Sequence, residues 1–217
     1  MKEAVIQKVL DKKIIAIIRG MEPEVCLKLA EAYYAGGIEL IEVTFNQAKP
    51  EEFQKTTDAI HAIREKFEGK VMVGAGTVLT QEQLRMAAQA GAQYIISPNC
   101  DVEIIKKTVE LGLVSMPGVM TPSEAVAAYQ AGASFVKVFP IGDLGASYLK
   151  AMRAPLSHIP FLAVGGVNPD NVAEFMRAGA VGAGVGGNMT NKYWIAAGEY
   201  DRITETAAAL VRNANLK

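Results

Sequence analysis

Eight short β-branched runs recur at even spacing along this chain, and a helical pattern fills each gap between them. The runs are IIAIIR (14–19), IELIEVTF (38–45), VMVGAG (71–76), YIISP (94–98), LVSMPGV (113–119), FVKVFP (135–140), FLAVGG (161–166) and GAGVGG (182–187). The gaps hold segments such as EPEVCLKLAEAYYAG and TQEQLRMAAQAG. Their apolar residues fall three or four apart and they end in glycine, the spacing of an amphipathic helix and its usual stop. Thr80 and Thr121 each precede an acidic or amide residue at capping distance, which marks helix starts. Strand–helix alternation predicts right-handed βαβ units and a parallel sheet. Eight units in 217 residues predict an α/β fold, one (β/α)8 TIM barrel over residues 1–217, with a doubly wound open sheet as the competing arrangement. MKEAVIQKVLDKK adds an N-terminal amphipathic helix, and a final helix over about 200–213 closes the structure.

Charge and composition narrow the partners. Half the residues are apolar, 21% are charged and the net charge is −1, a balance that favours neither nucleic acid nor membrane. No apolar run approaches the ~18–20 residues of a spanning helix. The mixed charge of the first residues is not that of a signal peptide, so a cytoplasmic protein is expected. Cys26 and Cys100 lack metal-ligand spacing and read as free thiols, and with only His61 and His158 present no metal site is expected.

In a closed barrel alternate side chains point inward, and functional groups gather at the C-terminal strand ends. In the second run Ile41, Val43 and Phe45 share one parity and belong under the helices, so Leu40, Glu42, Thr44 and Asn46 point inward. In the sixth, Val136 and Val138 face out, leaving Phe135, Lys137 and Phe139 inside. Arg19 ends the first run with the inward parity of Ile15 and Ile17, and Thr77 directly follows the third. A lysine, a glutamate and an arginine therefore converge on one mouth. A buried Lys137–Glu42 ion pair that only holds the barrel together is a poor device for stability, because desolvating both ions offsets their attraction. Apolar surroundings instead lower a lysine pKa, freeing an amine to attack a carbonyl, and a nearby carboxylate can move the protons. Arg19 offers bidentate capture of a carboxylate. Paired glycines in AVGGV (163–167) and GVGGN (184–188) end the last two runs, where such barrels bind phosphate through backbone N–H groups.

In order along the chain, AIIRG, IEVTF, VGAGTVL, ISPN, MPGVMTPSE, KVFP, AVGGV and GVGGN resemble the class I aldolases of the KDPG/KHG family. These cleave 2-keto-3-deoxy-6-phosphogluconate or 4-hydroxy-2-oxoglutarate. The resemblance implies a Schiff-base lysine at Lys137, a proton-transferring glutamate at Glu42, and a pyruvate pocket lined by Thr77, Pro98 and Phe139. It implies phosphate-binding turns at Gly165, Gly166 and Gly187, a homotrimer, and no metal or other cofactor. Two positions depart from the family pattern. Asn46 stands where many members carry a carboxylate-binding arginine, a combination with Arg19 that resembles the branch acting on 2-keto-3-deoxy-6-phosphogalactonate. Asn188 stands where a serine often meets phosphate. The expected activity is therefore release of pyruvate from a phosphorylated 2-keto-3-deoxy sugar acid, with Arg19 and Asn46 among the substrate contacts. An isomerase, epimerase or decarboxylase of a sugar phosphate is the competing reading, and a non-catalytic sugar-phosphate sensor a third.

Overall fold

The computed structural model describes residues 2–216, apart from the side chain of Asn188. Its strands are β1 (Ile14–Arg19), β2 (Leu40–Thr44), β3 (Met72–Gly76), β4 (Tyr94–Ile96), β5 (Val114–Met116), β6 (Gly118–Val119), β7 (Val136–Val138), β8 (Phe161–Val164) and β9 (Gly182–Val185). All pair in parallel, in the order β5-β4-β3-β2-β1-β9-β8-β7-β6. Only Pro117 separates β5 from β6, and its carbonyl accepts from Lys137 N–H at 2.9 Å. The chain itself thus closes the ring, and the fold is the expected eight-staved α/β barrel. The fifth run differs from expectation in being two short strands, because Pro117 has no N–H to give the ladder.

The helices are α1 (Lys2–Lys12), α2 (Pro23–Ala35), α3 (Phe53–Lys66), α4 (Gln81–Gln89), α5 (Val102–Glu110), α6 (Pro122–Gln130), α7 (Ile141–Arg153), α8 (Val172–Arg177), α9 (Lys192–Ala197) and α10 (Tyr200–Ala214). Thr80 and Thr121 both close reciprocal capping boxes, with Gln83 and Glu124, so the helix starts fall where the capping signals place them.

Strand parity divides the apolar core in two. Ile14, Ala16, Ile18, Ile41, Val43, Phe45, Val136 and Val138 pack outward beneath the helices. Ile15, Ile17, Leu40, Tyr94, Ile96, Val114, Met116, Phe135, Leu162 and Val164 fill the barrel. The N-terminal helix completes that inner core. Val5 and Val9 of α1 are fully buried within it, and Lys8 and Lys12 both pair with the half-buried Glu39 at the entry to β2. Fully burying an aliphatic side chain is worth roughly 1.5–3 kcal/mol, so the seal at the N-terminal end of the barrel is a stable one. The opposite end remains open.

Candidate active site

The open end carries a cavity of ≈ 360 Å³, at the lower edge of the range for small-molecule pockets. Its walls include Arg19, Glu42, Thr77, Pro98, Lys137, Phe139, Gly165, Gly166 and Gly187, each of them expected at the site from the sequence. Ile17, Val164, Val167, Gly184, Gly186 and Thr190 complete it. Inward parity at the strand ends marks Ile17 and Val164, but apolar residues carry no chemical signal of their own. Thr190 could have been found as the first hydroxyl after the GVGGN turn; its Oγ1 donates to Gly186 O at 3.3 Å.

Burial and separation define the two central ionisable groups. Lys137 is 6% exposed and Glu42 3%, yet among the described residues no hydrogen bond or ion pair within 4.0 Å joins them. Burial pushes the Lys137 ammonium below its ordinary pKa, and Arg19 adds to that shift while Glu42 opposes it. Burial likewise pushes the Glu42 carboxyl above its ordinary value, against the pull of Lys137 and Arg19. Both side chains are thereby biased toward their neutral forms, which for the lysine is the nucleophilic one. Phe139 partly counters this, its ring centroid lying 4.8 Å from Lys137 Nζ, a geometry that favours a cation.

Backbone choices make room for these side chains. In the parallel register Glu42 lies beside Gly74, and Thr44 lies between Arg19 and Gly76. A methyl group at Gly76 would sit 1.8 Å from Glu42 Oε1 and 2.5 Å from its Cδ, so the carboxylate occupies space that only glycine leaves. Thr44 is buried with its Oγ1 unpartnered among the described residues, an arrangement that costs about 1–3 kcal/mol. Thr77 takes a positive φ of 55°. For a β-branched residue that backbone is a genuine outlier, with a cost of order 1–3 kcal/mol. Strain of this kind concentrates at functional sites.

The glycine turn after β8 is just as constrained. Gly165 and Gly166 have φ of 91° and 76°, which side chains rarely adopt. A methyl at Gly166 would lie 2.9 Å from Gly142 Cα, and Gly142 N–H donates to Gly165 O at 2.7 Å. The turn after β8 is in this way locked to the start of α7. At Gly187 a methyl would meet nothing within 4 Å, so this glycine answers no crowding. The Asn188 side chain, expected at the same end, lies outside the described residues. Asn46 is not brought into the main cavity. It lines a small neighbouring recess with Gly20, Thr44 and Lys55, and its Oδ1 accepts from Ala48 N–H at 3.2 Å.

A buried lysine and a carboxylate that no hydrogen bond or ion pair joins to it among the described residues face one mouth of a parallel barrel, beside two glycine turns, an arrangement suited to a class I aldolase, a carbon–carbon lyase. The family model for KDPG and KHG aldolase matches residues 5–206, and the chain belongs to that family. It is 37% identical over 200 residues to the 2-dehydro-3-deoxy-6-phosphogalactonate aldolase of Escherichia coli K12, covering 92% of this chain and 93% of the relative. Identity to the 2-dehydro-3-deoxy-phosphogluconate aldolase of Treponema pallidum is 34%, over 88% of this chain and 89% of the relative. The fold also superposes with a TM-score of 0.84 on the KDPG aldolase of Legionella pneumophila, solved with pyruvate captured at low pH as a covalent carbinolamine intermediate. That protein is 28% identical, and the match covers 94% of this chain and 97% of it.

Gly76→Ala tests the placement of the carboxylate. The variant should fold, with an overpacking cost of ~1–3 kcal/mol by thermal denaturation, while kcat/KM for aldol cleavage falls at least about tenfold, a barrier change of ~1.4 kcal/mol. Activity within twofold of the parent would show that Glu42 need not lie over residue 76.

Proposed function

We propose that this chain cleaves a 2-keto-3-deoxy-6-phospho sugar acid, of the phosphogalactonate or phosphogluconate type, to pyruvate and glyceraldehyde 3-phosphate. 4-Hydroxy-2-oxoglutarate, giving pyruvate and glyoxylate, is a second substrate of the same chemistry. The observation that carries this reading is the pair of buried, mutually unbonded groups, Lys137 and Glu42, in one cavity.

Lys137 Nζ adds to the C2 carbonyl as the neutral amine, and loss of water from the carbinolamine, with the proton given by the neutral Glu42 carboxyl, leaves a protonated imine and a Glu42 carboxylate. Glu42 takes the proton from the C4 hydroxyl as the C3–C4 bond breaks. The C4 oxygen becomes the aldehyde of glyceraldehyde 3-phosphate, and the bonding electrons pass through C3 and C2 to the imine nitrogen as an enamine. Glu42 then returns its proton to C3, and hydrolysis of the pyruvyl imine frees the lysine. The nitrogen serves as electron sink, so this chemistry calls for no metal or other cofactor. Arg19 and Thr77 hold the carboxylate next to C2. Pro98 and Phe139 wall the pyruvate end, while the backbone of Gly165, Gly166 and Gly187, with Asn188 beside them, receives the phosphate. Asn46, in its recess beyond Thr44, lies on the side of the sugar hydroxyls.

A shift of both central groups toward neutrality also sets a pH dependence. Activity falls in acid as Lys137 becomes protonated through its lowered pKa, and falls in base as Glu42 loses the carboxyl proton that carries water off the carbinolamine.

A coupled assay of pyruvate release, run on both phosphorylated epimers and on their unphosphorylated forms, tests the substrate. We expect cleavage of phosphorylated sugar acids, a ~100- to 10,000-fold loss in Glu42→Gln, and a changed ratio of kcat/KM between epimers in Asn46→Arg. No pyruvate from any of them would end the reading, and an unchanged ratio in Asn46→Arg would remove Asn46 from substrate selection.

The assembly, a homotrimer, follows the family resemblance alone, and the compartment, cytoplasmic, follows from Cys26 and Cys100 as free thiols. Light scattering that finds a stable monomer at micromolar concentration would contradict the trimer.

A further inference from the structure

Thr77 occupies its left-handed backbone next to a hydrogen-bonded chain that a capping signal accounts for only in part and the cleavage chemistry not at all. Gln47, in the loop after β2, donates from Nε2 to Thr77 O at 2.7 Å. Its Oε1 accepts from Gln83 Nε2 at 2.9 Å. Gln83 is 1% exposed, and its Oε1 accepts from the N–H groups of Leu79 and Thr80 at 2.7 and 3.2 Å. Both amide orientations are dictated by their neighbours. Leu79 and Thr80 offer only N–H donors to Gln83, and Thr77 offers only a carbonyl to Gln47, so each side chain has one workable assignment.

The capping box accounts for half of this arrangement. A glutamate at position 83 would cap α4 as well as glutamine does, but it could not donate to Gln47. The amide nitrogen of Gln83 therefore has a task outside the helix start. Through it, residues 77–80 are held at the carbonyl of Thr77 and at the N–H groups of Leu79 and Thr80 by a single buried side chain and its partner. The chain also ties the loop after β3 to the loop after β2, where Gln47 directly follows Asn46.

We propose that Gln47 and Gln83 are positioning residues: an amide relay that keeps Thr77 in its strained backbone, with the residue facing the substrate's carboxylate. This rests on the reading above in which Thr77 contacts that carboxylate. Loss of the relay lets residue 77 relax toward ordinary backbone angles and withdraw from the cavity, weakening the hold on any 2-keto acid. The lysine itself is unaffected.

Gln83→Glu separates the relay from the cap. The readouts are the thermal midpoint, steady-state kcat and KM for the phosphorylated sugar acid, and the concentrations of pyruvate and of hydroxyacetone, which lacks a carboxylate, that half-saturate borohydride inactivation. We expect a midpoint within a few degrees of the parent, KM and the pyruvate constant raised about tenfold, kcat changed less than threefold, and the hydroxyacetone constant unmoved. Gln47→Met should reproduce this, and the double variant should be no worse than either single one. KM within twofold of the parent in both variants, or equal losses for pyruvate and hydroxyacetone, would overturn the relay. Thr77→Val reports on the underlying reading. If it leaves the pyruvate constant unchanged, Thr77 does not bind the carboxylate through its hydroxyl, and that failure is distinct from a relay that does not position.

Discussion

Everything at this site follows from burying one ammonium and one carboxyl group inside a barrel without letting them meet. Desolvation costs each ion several kcal/mol, and a direct bond between Lys137 and Glu42 would recover part of that. The structure forgoes the bond. Instead the cost appears as pKa shifts toward the neutral forms. The sign of the stability effect follows. Because the Lys137 pKa is lowered on folding, the unfolded chain binds more protons between the lowered and the ordinary value, and stability rises with pH across that window. For Glu42, raised on folding, the folded chain binds more protons between the ordinary and the raised value, and stability falls as pH rises across it. Near neutrality both groups weaken the fold in exchange for a reactive site.

The barrel supplies what makes that exchange tolerable. An inner core of Ile15, Leu40, Tyr94, Phe135 and Leu162, sealed below by Val5 and Val9, lies beneath the polar layer. The chemistry is confined to the single open end, where strands β1, β2 and β7 bring Arg19, Glu42 and Lys137 onto a common wall. Glycine then removes side chains where the site needs room. Gly76 clears space for the Glu42 carboxylate, and Gly166 lets the turn after β8 pack against Gly142.

Much of this was legible in the residues. Parity placed Lys137, Glu42 and Arg19 at one mouth because strand periodicity is strict and each strand offers a purely apolar face for comparison. The paired glycines at adjacent strand ends marked two turns that line the cavity. Three features were not legible. At Pro117 the missing N–H is visible in the residues, but the change of pairing partner across it, from β4 to β7, is a fact of topology. Asn46 has the inward parity of Glu42, but it lies past the end of β2, where the alternation lapses and its side chain caps a local turn. Gln83 announced itself as a helix cap and concealed its link to Gln47, because the 36-residue separation of that contact is set only once β2 and β3 stand side by side.

The most direct measurement is borohydride reduction in the presence of pyruvate, followed by digestion and mass spectrometry of the peptides. A reduced pyruvyl adduct should appear on the peptide containing Lys137, in step with loss of cleavage activity. Lys137→Met, which preserves side-chain volume in an apolar interior, should fold, take up no label and release no pyruvate. Labelling of a different lysine with Lys137 unmodified, or cleavage by Lys137→Met at more than about a tenth of the parent rate where loss of the imine should remove it, would contradict the account.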